Sequence, residues 1–554
     1  MKRNTFMSGA IILIIFNLIG KVLGAVYRIP LSRILGSVGM GKYQLVFPLY
    51  ALILTICTSG VPVVVSKLVA ECNAKGERYK AKRVLRTSAI ILLFTSLIGA
   101  SILVFGAKGF SLLEGNRDIY ICFYAIAPAI MFAGELSVFR GYFQGNLSMF
   151  PTALSGFVEQ VAKITIGLYL ARQLLVFGEL YAVFGAVLGV AISEFCSFVF
   201  LLICYFVHSK KHKKDIIKMP VSQKFLAKQI ISMSAPITLS GMVSPLSSMV
   251  DSLLVVNILI FLGYSSKNAT MMLGVLSGII EPLVNIPTIL SVSIATALLP
   301  SVSHKKSENS NYEMKEMIEK AIQISLSISL VFFVCFIIFG KQILEFLYGF
   351  SFSVSELNLA VKLLFFNSVN IIFLSLIQVF SSVLQGLNLQ KYVMKVMLAG
   401  CGIKLVLDVA LISVKSINIL GAVISGGVGY FVVMVLMFKK LKKLTFINFS
   451  GLYFYTIIQV CAVCVVAYFM NLILRALLSD TIAMFLAGGI SVVVFFISYY
   501  FLFIYQKNKR ESSATTWKKW YILLNLFYEF NDKKCGIKIE CDTCSYGRFF
   551  WYGF

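Results

Sequence analysis

Lys21 and Arg28 stand seven residues apart in "FNLIGKVLGAVYRIP" (16–30), inside the first long apolar segment of the chain. Seven residues is close to two helical turns, so one helix face carries both cations. Gly20 and Gly24 remove side-chain bulk beside Lys21, and Pro30 marks a kink or an end. No carboxylate lies one turn from Lys21 on either side. A cation at bilayer depth is costly, so an uncompensated one should face a partner or a watered cavity. The chemistry that suits the pair is capture of a phosphate-bearing headgroup. Phosphate oxygens accept charge-assisted hydrogen bonds from the planar fork of Arg and the point charge of Lys. Snorkelling of Arg28 towards the headgroups is the plainer alternative, and Arg33 reads as interfacial.

Further charges interrupt other apolar stretches. Lys163 follows Glu159, and Lys404 precedes Asp408, each at i,i+4 spacing. Either pair can close into an intrahelical salt bridge, or open when an anion takes the lysine. Arg140 and Glu135, five residues apart near the end of the fourth span, face the same choice. Glu194, Asp251 and Glu281 have no basic residue one turn away. Such acids could bind H+ or Na+ and couple a gradient to movement, bind a cationic drug, or serve Lys21 as counterions from another helix. Enzymatic chemistry finds no support: HExxH, GxSxG and Walker signatures are absent, and His208, His212 and His304 all lie at basic loops. The CxxC of Cys461 and Cys464 has no companion ligand, so neither a metal nor another cofactor is expected.

The elements that must hold these charges are membrane helices. The apolar share is 59%, charged residues are only 13% and mean hydropathy is +0.88, which excludes an ordinary soluble globule. Apolar runs long enough to cross a bilayer recur throughout, where a β-barrel would show short alternating segments. The formal charge of +26 follows topology and does not call for a nucleic-acid partner. Lys and Arg crowd into alternate loops, at 67–86, 208–218 and 439–443, as the positive-inside rule requires. That bias places both termini in the cytoplasm. Anionic lipids attract such a face. The N-terminus reads as an uncleaved first helix.

Runs and breaks give fourteen spans, near 6–31, 43–69, 84–107, 119–144, 150–174, 180–207, 226–262, 270–302, 317–340, 356–386, 391–414, 417–438, 449–474 and 481–505. The chain also repeats itself. "VFRGYFQG" (138–145) matches "VFSSVLQG" (379–386), and the same offset carries Lys163 onto Lys404. Six helices per copy make a parallel repeat with a cleft between lobes. The expected organisation is an N-lobe over 1–224, a C-lobe over 225–445, two extra helices over 446–505 and a tail over 506–554. The tail holds "WKKWYILLNLFYEF" and Cys535, Cys541 and Cys544. It reads as interfacial or cytoplasmic and carries no assigned function.

"GMGKYQLVFPLYALILTICTSGVPVVVSKLVAE" (39–71) and "EPLVNIPTILSVSIATALLPSVS" (281–303) resemble the stage V sporulation protein B and polysaccharide-export branch of the multidrug/oligosaccharidyl-lipid/polysaccharide flippase superfamily, with kinship to lipid II flippases. The resemblance covers roughly residues 5 to 505. It implies fourteen helices, two lobes and alternating-access flipping of a lipid-linked saccharide, such as a peptidoglycan or spore-cortex precursor. Membrane lipids and cell-wall synthesis enzymes are the partners it implies. On that reading Lys21, Arg28, Lys163, Lys404 and Arg140 would meet the substrate, while Asp251, Glu281 or Glu194 would couple the ion. A cation-coupled multidrug exporter of the same superfamily is the first alternative, and a non-transporting membrane scaffold the second.

Overall fold

The structure is a computed structural model that describes residues 3–211, 222–308, 310–349, 352–445, 450–477 and 482–498, apart from 492 and 496. The tail over 506–554 and the end of the last span lie outside the described residues, as does part of the basic loop over 208–218. All regular elements among the described residues are helical. In chain order they are α1 (Arg3–Thr58), α2 (Gly60–Ala74), α3 (Arg78–Leu113), α4 (Tyr120–Gly145), α5 (Met149–Leu174), α6 (Glu179–Lys211), α7 (Gln223–Gly241), α8 (Val243–Phe261), α9 (Ser266–Leu273), α10 (Glu281–Ser307), α11 (Asn311–Tyr348), α12 (Val354–Gly386), α13 (Gln390–Ile412), α14 (Leu420–Thr445) and α15 (Ser450–Leu477). A further helical stretch follows over 482–498.

These elements compose the fourteen expected crossings of a polytopic membrane protein. α1 is two helices joined at a kink at Gly36, whose φ is 67°; a side chain there would be strained. α2 completes the second span, α7 and α8 together make the seventh, and α9 with α10 makes the eighth. Between α9 and α10 the chain winds as a π-helix over Gly274–Ile280. Nine described stretches are long and apolar enough to cross a membrane. α5 and α13 fall short of that measure because Glu159, Lys163, Lys404 and Asp408 sit on them.

Apolar packing closes one end of the bundle and divides at the other. A single core joins residues of α1, α3, α4 and α6 to residues of α8, α9, α11 and α12. It lies towards the end away from the basic loops, here called the far end. Towards the basic end two separate cores replace it. One joins α2, α3, α4, α6 and α7 around Phe143 and Leu201. The other joins α10 to α14 around Phe380 and Met437. The outer faces are apolar and open, with Phe105 88% and Phe261 89% exposed. Lipid, not water, is the solvent that such a surface fits.

Close backbone approach seals the far end. A Cβ on Gly41 would lie 1.9 Å from the Thr270 carbonyl oxygen, and one on Gly274 would lie 2.1 Å from that of Ser37. Only glycine permits α1 and the π-helix to meet there. Ser37 Oγ donates to Glu356 Oε1 of α12, and Arg33 donates from Nε and Nη2 to the Leu347 and Phe346 carbonyls, at 2.7 and 3.0 Å.

Candidate functional site

Below that seal, a cavity of 710 Å³ opens between α1, α4, α5 and α10. One face of α1 supplies Gly20, Lys21, Gly24 and Arg28, so the two cations do share a face and the glycines do leave room. Arg140 of α4, Glu159, Gln160 and Lys163 of α5, and Glu281, Asn285 and Ser293 of α10 complete the lining. A second cavity of 420 Å³ lies on the other side of Arg28, Gln44, Phe47, Ser277, Glu281 and Asn285, which border both. It extends to Asp251 of α8, Asn367 and Asn370 of α12, Lys404 of α13 and Tyr430 of α14.

Arg28 is held at the junction. Its Nη1 donates to the Ser277 carbonyl at 3.3 Å, and Gln44 Nε2 donates to the same oxygen at 2.5 Å. Ser277 belongs to the π-helix, where the wider turn leaves a carbonyl free to accept from outside the helix. Lys21 is exposed in the cavity, and Lys163 is half-buried there. Among the described residues, neither these two lysines nor Arg28 has a carboxylate within ion-pairing distance.

The other charges pair, and mostly across helices. Arg140 Nη2 lies 2.9 Å from Glu159 Oε2, and its Nε donates to Ser155 Oγ at 3.0 Å. Of the two readings of Lys163, the closed pair with Glu159 is not formed: Glu159 turns to α4, where Arg140 offers a directional fork. Arg140 likewise does not pair with Glu135, whose Oε1 is buried without a hydrogen-bond partner. Glu194 is buried on α6, within electrostatic reach of Arg140, Glu159 and Lys163.

In the other half, Lys404 Nζ lies 2.8 Å from Asp408 Oδ2, one turn along α13, and 2.5 Å from Asp251 Oδ1 of α8. Asp408 is fully buried and also accepts from Ser425 Oγ of α14. Asp251 is thus the partner of Lys404 and not a counterion of Lys21 across the cleft. Glu281 forms no ion pair among the described residues and stays exposed between the two cavities. No group of three or more metal-ligating side chains occurs among the described residues.

Several lining residues carry signals that the charged positions overshadowed. Gln44 sits in "YQLVF", and Asn367 and Asn370 sit one turn apart in "FFNSVNIIF". Amides on otherwise apolar spans mark a face that meets water or polar neighbours. Asn370 Nδ2 donates to Asn367 Oδ1 at 2.7 Å, and both amides line the second cavity.

Comparison with known proteins agrees with this architecture. The family model described as polysaccharide biosynthesis protein matches residues 6–306. The chain belongs to this family. The MatE model also matches, over residues 236–410. Stage V sporulation protein B of Bacillus subtilis (strain 168) is 30% identical over 80% of this chain and 85% of its own length. Lipid II flippase MurJ of the same organism is 28% identical over 79% and 82%. Among solved structures, lipid II flippase MurJ in an inward closed conformation superposes with a TM-score of 0.69 and 15% identity, covering 89% of this chain and 99% of that one. An inward-facing multidrug resistance MATE transporter superposes with a TM-score of 0.62 and 16% identity, over 77% and 96%. The chain is therefore a multi-pass member of the multidrug/oligosaccharidyl-lipid/polysaccharide flippase superfamily, in the branch that holds stage V sporulation protein B.

Proposed function

We propose that this protein is an alternating-access flippase for a polyprenyl-pyrophosphate-linked saccharide of the peptidoglycan or spore-cortex class. The observation that carries the reading is the first cavity. Lys21, Arg28 and Lys163 line one polar space without ion pairs among the described residues, beside an Arg140 already bound to Glu159. Unpaired cations facing a cavity suit a doubly charged pyrophosphate, and a neutral sugar alone does not call for them. The amides and Tyr430 of the second cavity offer hydrogen bonds to a saccharide, while the lipid chain stays in the bilayer.

Orientation follows from charge. The basic loops belong in the cytoplasm, which sets both termini there, in the plasma membrane, and turns the open end of the cleft to the cytoplasmic leaflet where a precursor is loaded. Translocation breaks no bond, so the role is transport and not catalysis. Of the three acids read as coupling candidates, Glu281 is exposed in the cavity without an ion pair, and we assign H+ or Na+ coupling to it. Asp251, already held by Lys404, is a weaker candidate, and so is the buried Glu194.

A cation exporter is the second reading, favoured by the MATE-like fold. It needs an acid free to receive a cation; Asp251 is held by Lys404, which leaves Glu281 as the free acid in the cavities, beside the unpaired cations that such an exporter would not call for. A scaffold has no use for unpaired cations in a cavity. Binding distinguishes the three: native mass spectrometry of the purified protein with polyprenyl pyrophosphate, polyprenyl monophosphate and a cationic dye. Preference for the pyrophosphate, lost in Lys21→Gln and Arg28→Gln, supports the flippase. Dye binding abolished by Asp251→Asn supports the exporter, and retention of neither ligand supports the scaffold.

A further inference from the structure

The turn joining α3 to α4 at the far end holds an acid that the cleft does not use. Glu114 caps α3 between the spans Arg78–Leu113 and Arg117–Gly145 and is only 1% exposed. Its Oε2 accepts a 3.3 Å hydrogen bond from Ser252 Oγ of α8, while its Oε1 is buried with no partner. The rest of the turn is fastened to the same neighbours. Asn257 Nδ2 donates to the Leu113 carbonyl at 2.7 Å, Ser266 Oγ to the Gly115 carbonyl at 2.6 Å, and Asn116 Nδ2 to Thr270 Oγ1 at 3.2 Å.

The seat has no slack. Gly115 has a φ of 70°, and a Cβ there would meet Ile260 and Val256 at 2.9 and 3.0 Å. A first-half turn is thus pressed against α8 and α9, with a carboxyl group at the contact. In neutral form that group fits one hydroxyl neighbour and an apolar wall. In ionised form it would be a buried charge with one neutral donor and one orphaned oxygen, which is strongly unfavourable.

We propose that Glu114 is a proton-binding latch: protonated, it holds the far end closed, and ionised, it releases the turn from α8 and α9.

No counterion interferes. Towards this end the surrounding elements carry Lys108 on α3, Arg117 and Asp118 on the turn, Lys267 on α9, Asp251 on α8, Glu281 at the start of α10 and Lys42 on α1, while the remaining charges of α3 and α1 lie further along those helices. Lys108, Arg117, Asp118 and Lys267 are exposed, Asp251 is bound to Lys404, Lys42 is bound to Glu179, and none pairs with Glu114. Burial pushes the Glu114 carboxyl up to about 8, against a smaller opposing pull from the Ser252 hydroxyl. Once the turn lifts into water, the group returns to the ordinary carboxylate range. The closed form therefore keeps its proton over the interval between the two values while the open form loses it. Within that interval the closed-to-open ratio falls about tenfold per unit rise in pH, and it levels off outside.

The test is a distance measurement on the full-length protein in nanodiscs, with bioorthogonal spin labels replacing the exposed Arg117 and Asn268. Wild type should move from a short to a longer separation as pH rises from acid to alkaline. Glu114→Gln should hold the short separation at every pH, and Glu114→Leu, which leaves no polar atom unpartnered, should do the same. Ser252→Ala should retain the pH response. An identical response in wild type and both non-ionisable variants would overturn the proposal, as would a wild type that does not respond.

Discussion

Removing the Lys404 ammonium should strand two carboxylates. Lys404 bridges Asp251 at 2.5 Å and Asp408 at 2.8 Å, and Asp408 has no exposed side-chain surface. In Lys404→Gln, Asp408 keeps only the Ser425 hydroxyl as a strong neighbour. Breaking a buried pair from one side typically costs about 3–5 kcal/mol, because the remaining charge is uncompensated. Asp251 keeps 26% of its side chain exposed towards the cavities, so water relieves part of its penalty. The expected loss is thus near the low end, about 3 kcal/mol. Steric-trapping or mixed-micelle unfolding of the variants measures it. The decisive comparison is the double variant Lys404→Gln with Asp408→Asn, which removes the stranded charge and should recover more than half of the loss. Destabilisation below about 1 kcal/mol in the single variant would place the pair in the class of weak surface bridges. Strict additivity in the double variant would equally refute the reasoning, since residues in one network must couple.

Two further perturbations act on backbone and caps. Gly41→Ala puts a methyl against the Thr270 carbonyl, so the same Arg117–Asn268 label pair should report the longer separation at every pH. Ser353→Ala removes the capping box in which Ser353 Oγ accepts from the Glu356 amide and Glu356 accepts from the Ser353 amide. That should cost about 1 kcal/mol in the unfolding assay, with Ser353→Thr recovering most of it.

The sequence made the crossings legible because each must run apolar for the thickness of a bilayer, and the breaks fall at glycine, proline and charge. It also showed that Lys21 and Arg28 share a face, since both lie on one helix with fixed pitch. The pairing of Lys404 with Asp408 was visible for the same reason. What one helix cannot show is the partner on another. Glu159 had Lys163 at the right spacing but bonds Arg140, and Asp251 finds Lys404 from a separate span. Glu114 drew no notice, because a single acid in a short turn looks solvated until the opposing helices are placed on it. The merging of two spans at Gly36 and the π-helix at Gly274–Ile280 likewise depend on contacts between distant segments.

The central claim is that unpaired cations in the cleft carry a lipid pyrophosphate across the membrane. Its most direct test is the rate of flipping of a labelled polyprenyl-pyrophosphate saccharide in proteoliposomes. Wild type is compared with the combined Lys21→Gln and Arg28→Gln variant, in which both side chains face the cavity and stability should change little. The account predicts robust flipping by wild type and a loss of at least about tenfold in the variant, the effect of about 1.4 kcal/mol of charge-assisted binding. Equal flipping by both proteins would contradict it.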